Sequence, residues 1–223
     1  IPAEAFFADC VVLVEGPSEL VFYKTLAKQI GIELDRLNIS VLSVDGVGFD
    51  IYIKILDAMC IYWVTRTDND IFKVPNKSLY RYAGIERGIG FLLNDFEFDN
   101  EDEIIINDLK SKLYFTDKTH VPDEARTAAK EITSILEKYD ILIANEGLEE
   151  DLYNSSIQNE LKEFYGKELT CDAIIAKMKE HKAINMYEFL KKKKSCLSVL
   201  KEDALALPLI RAKEYIEEQY GAY

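Results

Sequence analysis

The chain is poor in the residues on which several classes of active site depend. It has two histidines, His120 and His181, in 223 residues, which leaves little for a histidine-rich zinc site or a histidine-dependent triad. Both stand in polar, exposed-looking settings and receive no role. Four cysteines, at 10, 60, 171 and 196, show no paired metal-ligand spacing. Cys10 and Cys60 lie in apolar stretches and read as buried free thiols of a reducing compartment, which points to the cytoplasm. Positive charge is scarce: 27 Lys and Arg against 40 Asp and Glu give a net charge of -13. That argues against broad electrostatic capture of nucleic acid. It leaves room for a DNA enzyme whose metal-holding carboxylates are part of the count. No apolar run has the length of a membrane span, and no signal peptide is visible. An initiator methionine is also missing. Ile1-Pro-Ala-Glu4 enters the first strand almost at once, which reads as a piece of a longer polypeptide or as processing.

Apolar residues are plentiful. A hydrophobic fraction of 48% supplies the core of one large domain, or of a domain with a helical appendage. The organising stretch is Asp9 to Tyr23. Val11–Val14 is an unbroken β-branched and leucine run, as expected of a strand buried on both faces of a parallel sheet. Gly16-Pro17 stops it, Ser18 stands at the expected helix N-cap, and Leu20, Val21, Tyr23 and Leu26 continue at roughly helical spacing. Glu15 is thereby placed at the carboxyl end of a central strand and Glu19 in the first turn of the next helix. Two acids at that edge either flank a cation or serve more plainly, Glu19 complementing the helix dipole and Glu15 facing solvent. On this motif alone the two readings stand level.

Further along, Asn38–Val44 reads as a second strand ending in the turn Asp45-Gly-Val-Gly48. Phe49–Met59 reads as a helix with Ile51, Ile55 and Leu56 inward, and Cys60–Val64 as a third strand. Tyr80–Leu93 is expected to be helical. The acidic run 94–103 reads as a solvated loop, and Ile104–Leu113 fits strand or helix. A clear helix runs from Pro122 to Tyr139 with Ala128, Ile132, Ile135 and Leu136 on one face. Ile141–Ala144 is a fourth buried strand, and from Tyr153 the pattern is mostly helical, broken near Gly166, Leu169 and residues 191–198. The alternation predicts an α/β fold with a Rossmann-like parallel sheet of about four strands and flanking helices.

Three of the four strands lead into paired acids: Glu15 with Glu19, Asp68 with Asp70, and Glu149 with Asp151. Beyond the fourth, Asp45 is better read as a turn acceptor. Extended backbone in Asp68-Asn69-Asp70 points both acids one way and Asn69 the other. Oxygen-only ligands gathered at one sheet edge suit Mg²⁺ or Mn²⁺. Such ions activate water and offset charge on a phosphoryl group.

Val14-Glu15-Gly-Pro-Ser-Glu19 followed by Asp68-Asn-Asp70 resembles the Toprim domain in the form found in OLD-family (overcoming lysogenization defect) nucleases. Phe7-Ala8-Asp9 before the first strand is typical of that group, and Leu148-Glu-Glu-Asp-Leu152 resembles its Leu-Glu-x-x-Leu signature. The resemblance implies a Toprim core over 1–153 with an insertion around 80–138, a helical part over 154–223, and an N-terminal ATPase domain belonging to the parent chain and absent here. It implies a metal-dependent DNA endonuclease in which Glu15, Glu19, Asp68, Asp70, Glu149 and Asp151 hold one or two divalent ions. A lysine from the C-terminal region would reach the site. Lys201, ahead of the alanine-containing stretch to Leu207, is the first candidate, with Lys191–Lys194 and Lys177 as rivals. Implied partners are DNA, a second copy of the chain and, in the anti-phage branch, a helicase-like protein. A Toprim primase or topoisomerase, a Mg²⁺ phosphotransferase and a non-catalytic interaction module are the competing readings.

Overall fold

Strand β1 (Cys10–Val14) is buried at every position, as an unbroken apolar run requires of a strand covered on both faces. The computed structural model describes residues 2–45, 48–92 and 99–221. From β1 the chain passes into α1 (Pro17–Ile30), whose N-cap is Gly16 rather than Ser18. Pro17 takes a first-turn position, where a missing N–H costs nothing. The dipeptide that ends the strand therefore also starts the helix, and Ser18 is buried in the first turn. β2 (Ile39–Ser43), α2 (Phe49–Ala58) and β3 (Tyr62–Thr67) follow. β1 pairs in parallel with both neighbours, Val12 opposite Val41 on one side and Val64 on the other.

Two expectations in this stretch are corrected. α2 buries Phe49, Ile53 and Leu56, an i, i+4, i+7 stripe counted from its first residue, and Ile51 is left exposed. Cys60 is exposed as well. It occupies a left-handed turn residue, φ 56°, between α2 and a strand that begins two residues later than expected.

The chain divides into two compact units, Ile1–Arg66 with Leu148–Tyr223, and Thr67–Gly147. In the second, β4 (Ile71–Lys73) and β5 (Tyr80–Tyr82) pair antiparallel. α3 (Ala83–Leu92) takes most of the helix expected from Tyr80, the first three residues going to β5; Leu93 lies outside the described residues. α4 (Asn100–Lys110) corrects the loop assigned to the acidic run. The side chain of Asp99 accepts from the Glu101 N–H at 2.8 Å, and Glu101, Asp102 and Glu103 fill a first turn where negative charge is favoured. Residues 94–98 of that run, like Gly46 and Val47 of the earlier turn, lie outside the described residues. β6 (Tyr114–Phe115) completes a small sheet of order β4-β5-β6. α5 (Asp123–Lys138) buries Ala128, Ile132, Ile135 and Leu136, the face its spacing predicts. β7 (Ile141–Ile143) follows, and Ala144 N–H donates to the Thr67 carbonyl at 3.0 Å. The main sheet has the order β2-β1-β3-β7, with β1 inside it.

The first unit resumes with α6 (Leu148–Asn154), α7 (Gln158–Tyr165), α8 (Cys171–Glu180) and α9 (Lys182–Lys193). A 3₁₀ stretch (Lys194–Glu202) and α10 (Leu207–Tyr220) end it. α9 and the 3₁₀ stretch pack on α1, and α10 packs on β1. Tyr215 of α10 stacks on Tyr62 with ring centroids 3.7 Å apart, and Trp63 donates its indole N–H to Asp57 at 2.7 Å. All three aromatics thus serve packing. No helix among the described residues is long and apolar enough to cross a membrane.

Candidate metal centre

In the first unit the acids build around the start of α1 and the start of α6. Glu15, half-buried, follows the last residue of β1. Glu19, in the first turn of α1, is only 3% exposed. A Cβ built on Gly16 would meet the Glu19 Oε2 at 3.3 Å, so glycine at the N-cap leaves room for the carboxylate to fold back over the strand end. Leu148 and Leu152, both fully buried, anchor α6 at i and i+4. That rotation brings Glu149 inward, to 1% exposure.

Glu19 and Glu149 lie in one electrostatic field. Burial pushes the Glu19 carboxyl above its usual range, opposed by a hydrogen bond from its own backbone. The charge of Glu149 raises it further, and Lys182 and Arg66 draw it back. Neither carboxylate oxygen of Glu149 has a hydrogen-bond partner among the described residues. Lys182 Nζ lies 3.2 Å from Glu149 Oε2, close enough to offset charge without hydrogen-bond geometry. Burial, and then Glu149, lifts the nearby Tyr165 hydroxyl to about 12. Next along α6, Glu150 pairs with Lys179 at 2.5 Å, and Asp151 with the buried Arg66 at 2.6 Å. Arg66 stands opposite Val14 in the β1–β3 register.

In the second unit Asp68 and Asn69 are buried, and Asp70 is exposed. Asn69 donates its N–H to the Glu146 carbonyl at 2.6 Å. Its Oδ1 accepts from the Ile85 N–H at the start of α3, at 3.2 Å. Ala83 N–H reaches the Asp70 carbonyl at 2.9 Å.

Other candidates fall elsewhere. Lys201 is exposed in the 3₁₀ stretch. Lys191, Lys194 and Lys177 are exposed. Lys192 lies over the Phe164 ring, and Lys193 pairs with Glu163. Asp45 has φ 51° and exchanges hydrogen bonds with Ser43 Oγ, the turn role expected of it. Two residues that sequence reasoning missed are Lys182 and Arg66. A lone charged residue inside a strand was a usable signal; for Lys182, the first residue after a helix break, there was none.

Among the described residues no three His, Cys, Asp or Glu side chains converge with metal-ligand spacing. The chemistry of the donors nevertheless fits a hard divalent cation: Glu19 and Glu149 are buried carboxylates, and both oxygens of Glu149 lack a hydrogen bond. Ions of this class accept a few carboxylates and retain water.

Residues 6–70 match the model of the overcoming lysogenization defect protein-like TOPRIM domain. Endonuclease GajA of Bacillus cereus (strain VD045) is 27% identical over 213 residues, which is 92% of this chain. The chain spans 35% of the length of that relative. The C-terminal region of the Burkholderia pseudomallei OLD protein superposes with a TM-score of 0.58 at 20% identity, over 94% of this chain and 99% of that one. The corresponding region of the Xanthomonas campestris pv. campestris OLD protein gives 0.55 at 20% identity, over 98% of each. The fold is that of the C-terminal region of OLD proteins, and the chain carries an OLD-like Toprim domain.

Proposed function

We propose that the chain is the Toprim part of a divalent-metal-dependent DNA endonuclease that works in anti-phage defence of the Gabija type. The observation that carries this reading is the burial of Glu19 and Glu149 within one field, offset by Lys182 at 3.2 Å. Nothing in packing requires two carboxylates to be gathered there. The likeness to Endonuclease GajA supports nuclease chemistry. Its greater length supports a parent chain with a further domain, an ATPase on the OLD resemblance. DNA as substrate, a homo-oligomer and a helicase-like partner belong to the same proposal.

Glu19 and Glu149, with Glu15 just ahead of Glu19 in sequence, are the ligands we assign to Mg²⁺ or Mn²⁺ in the first unit. Asp68 and Asp70 are assigned as ligands on the resemblance alone. Such an ion supplies an activated water and offsets charge on the phosphodiester. Lys182 takes the role of the C-terminal lysine ahead of Lys201, because it is the lysine at Glu149. The Lys182 ammonium would offset negative charge on the departing oxygen. Arg66 holds Asp151, which we therefore read as the fastener of that arginine rather than as a ligand. Lys179 does the same for Glu150.

The test is nicking of supercoiled plasmid by the parent-length protein with Mg²⁺ or Mn²⁺. Glu149→Gln and Asp68→Asn are expected to abolish cleavage. Lys182→Met should lower it about 10²–10³-fold, the usual cost of losing one group that stabilises transition-state charge. Cleavage that survives Glu149→Gln in a folded protein would move the active site elsewhere.

A further inference from the structure

The second unit holds the Asp68-Asn69-Asp70 loop unusually tightly. A Cβ built on Gly84, the second residue of α3, would lie 2.9 Å from Asn69 Cα and closer still to the Asp68 carbonyl oxygen. Real Cβ atoms do not approach backbone so closely, and backbone cannot rotate aside as a flexible side chain can. Glycine at 84 is thus what lets the start of α3 lie directly on the loop. Three hydrogen bonds then fasten it: Ala83 N–H to the Asp70 carbonyl, Ile85 N–H to Asn69 Oδ1, and Asn69 N–H to the Glu146 carbonyl. The amides that open α3 are spent on this loop instead of on water or a ligand. Asn69, between two acids, spends its side-chain oxygen on the Ile85 N–H and works as an anchor.

We infer that Gly84 and Asn69 are positioning residues for Asp68, fixing its backbone so that its carboxylate is presented at one place for a divalent cation. The inference rests on the reading of Asp68 as a metal ligand. Groups that orient a ligand without touching the ion commonly account for 10–100-fold in metal affinity. α3 also contains its own controls. A Cβ on Gly88 would meet the Leu136 side chain at 2.9 Å and Ile141 at 3.1 Å, and one on Gly90 would meet nothing within 4 Å. Gly88 is a matter of core packing, and position 90 has room for a methyl group.

The experiment is Mn²⁺ binding by calorimetry on the full chain, with thermal unfolding measured in chelator on the same samples. Gly84→Ala is expected to weaken Mn²⁺ binding about 10–100-fold. Gly88→Ala should lower the unfolding temperature and leave affinity unchanged, and Gly90→Ala should leave affinity unchanged and raise the unfolding temperature slightly, as alanine for glycine inside a helix does. Asn69→Ala should weaken Mn²⁺ binding, and Asn69→Asp, which keeps the acceptor for Ile85 N–H, should restore most of it. The Asn69 pair decides the matter if Gly84→Ala does not fold. Wild-type affinity in Gly84→Ala, or equal weakening by Gly88→Ala, overturns the inference. Asp68→Asn is measured alongside. If it binds Mn²⁺ as wild type does, the ligand reading of Asp68 has failed, and the fault lies there rather than with the positioning pair.

Discussion

Glu19 shows what a buried acid costs and what it is kept for. Its carboxyl is raised above the ordinary 4.5 chiefly by burial, against a backbone hydrogen bond, with Glu149 adding to the rise. An acid with a raised folded-state pKa contributes stability that is fully present below the unfolded value and is lost as pH rises through the folded one. In chelator, wild type should therefore weaken relative to Glu19→Gln from about pH 4.5 upward. The variant should be the more stable protein at neutral pH. Saturating Mn²⁺ should then stabilise wild type more than the variant, since only a state that binds the ion gains from it. Thermal unfolding across this pH range, with and without Mn²⁺, reads both effects; parallel pH profiles in chelator would mean that Glu19 ionises at no cost. Glu15 and Glu19 were legible because a strand end and a first helical turn fix where their side chains begin. Arg66 and Lys182 were not, since their partners, Asp151 and Glu149, are far along the chain and no periodicity connects them.

Elements were legible where burial sets a period and illegible where caps and turns decide. Ala128, Ile132, Ile135 and Leu136 of the α5 stripe were predicted, with Ala125 and Ala129 adding to it, and β1 came from its apolar run. The body of α4, from Ile104 on, fits strand or helix by sequence; its start was missed because the first turn is acidic and reads as solvated, although those acids are what the start of a helix favours. One of them does more than cap. Asp102, buried, accepts from Lys138 Nζ at 2.7 Å and from the Tyr139 hydroxyl at 3.0 Å, tying α4 to the end of α5. The hydrogen bond from Lys138 holds its carboxyl below the usual 3.8, against the opposing effect of burial. A depressed pKa contributes stability above the unfolded value and loses it as pH falls through the folded one. Asp102→Asn should accordingly unfold at a lower temperature than wild type at neutral pH, and the gap should close below about pH 4. A gap of constant size across that range would assign the loss to packing rather than to charge.

At the scale of the whole molecule, the feature hardest to read was that one unit is made from two distant stretches. The sequence reads as a core ending near 153 followed by helical additions, because elements alternate before that point and helices dominate after it. In the first unit, however, α1 packs on α9 and the 3₁₀ stretch, and β1 packs on α10. Phe22, Tyr23 and Leu26 of α1, with Leu197 and Leu200 of the 3₁₀ stretch and Leu209 of α10, are all completely buried. Each large apolar side chain returned to water costs about 1.5–3 kcal/mol, and a domain's whole stability is about 5–15 kcal/mol. Uncovering even a handful of them exceeds that margin. A chain ended after Tyr153 should therefore show no cooperative thermal transition by circular dichroism and should bind a hydrophobic dye strongly, as loosely packed states do. The full chain should melt in one or more sharp steps without the dye. A sharp transition in the shortened chain, with no dye bound, would mean that residues before 154 close their own core and that the later helices only decorate it.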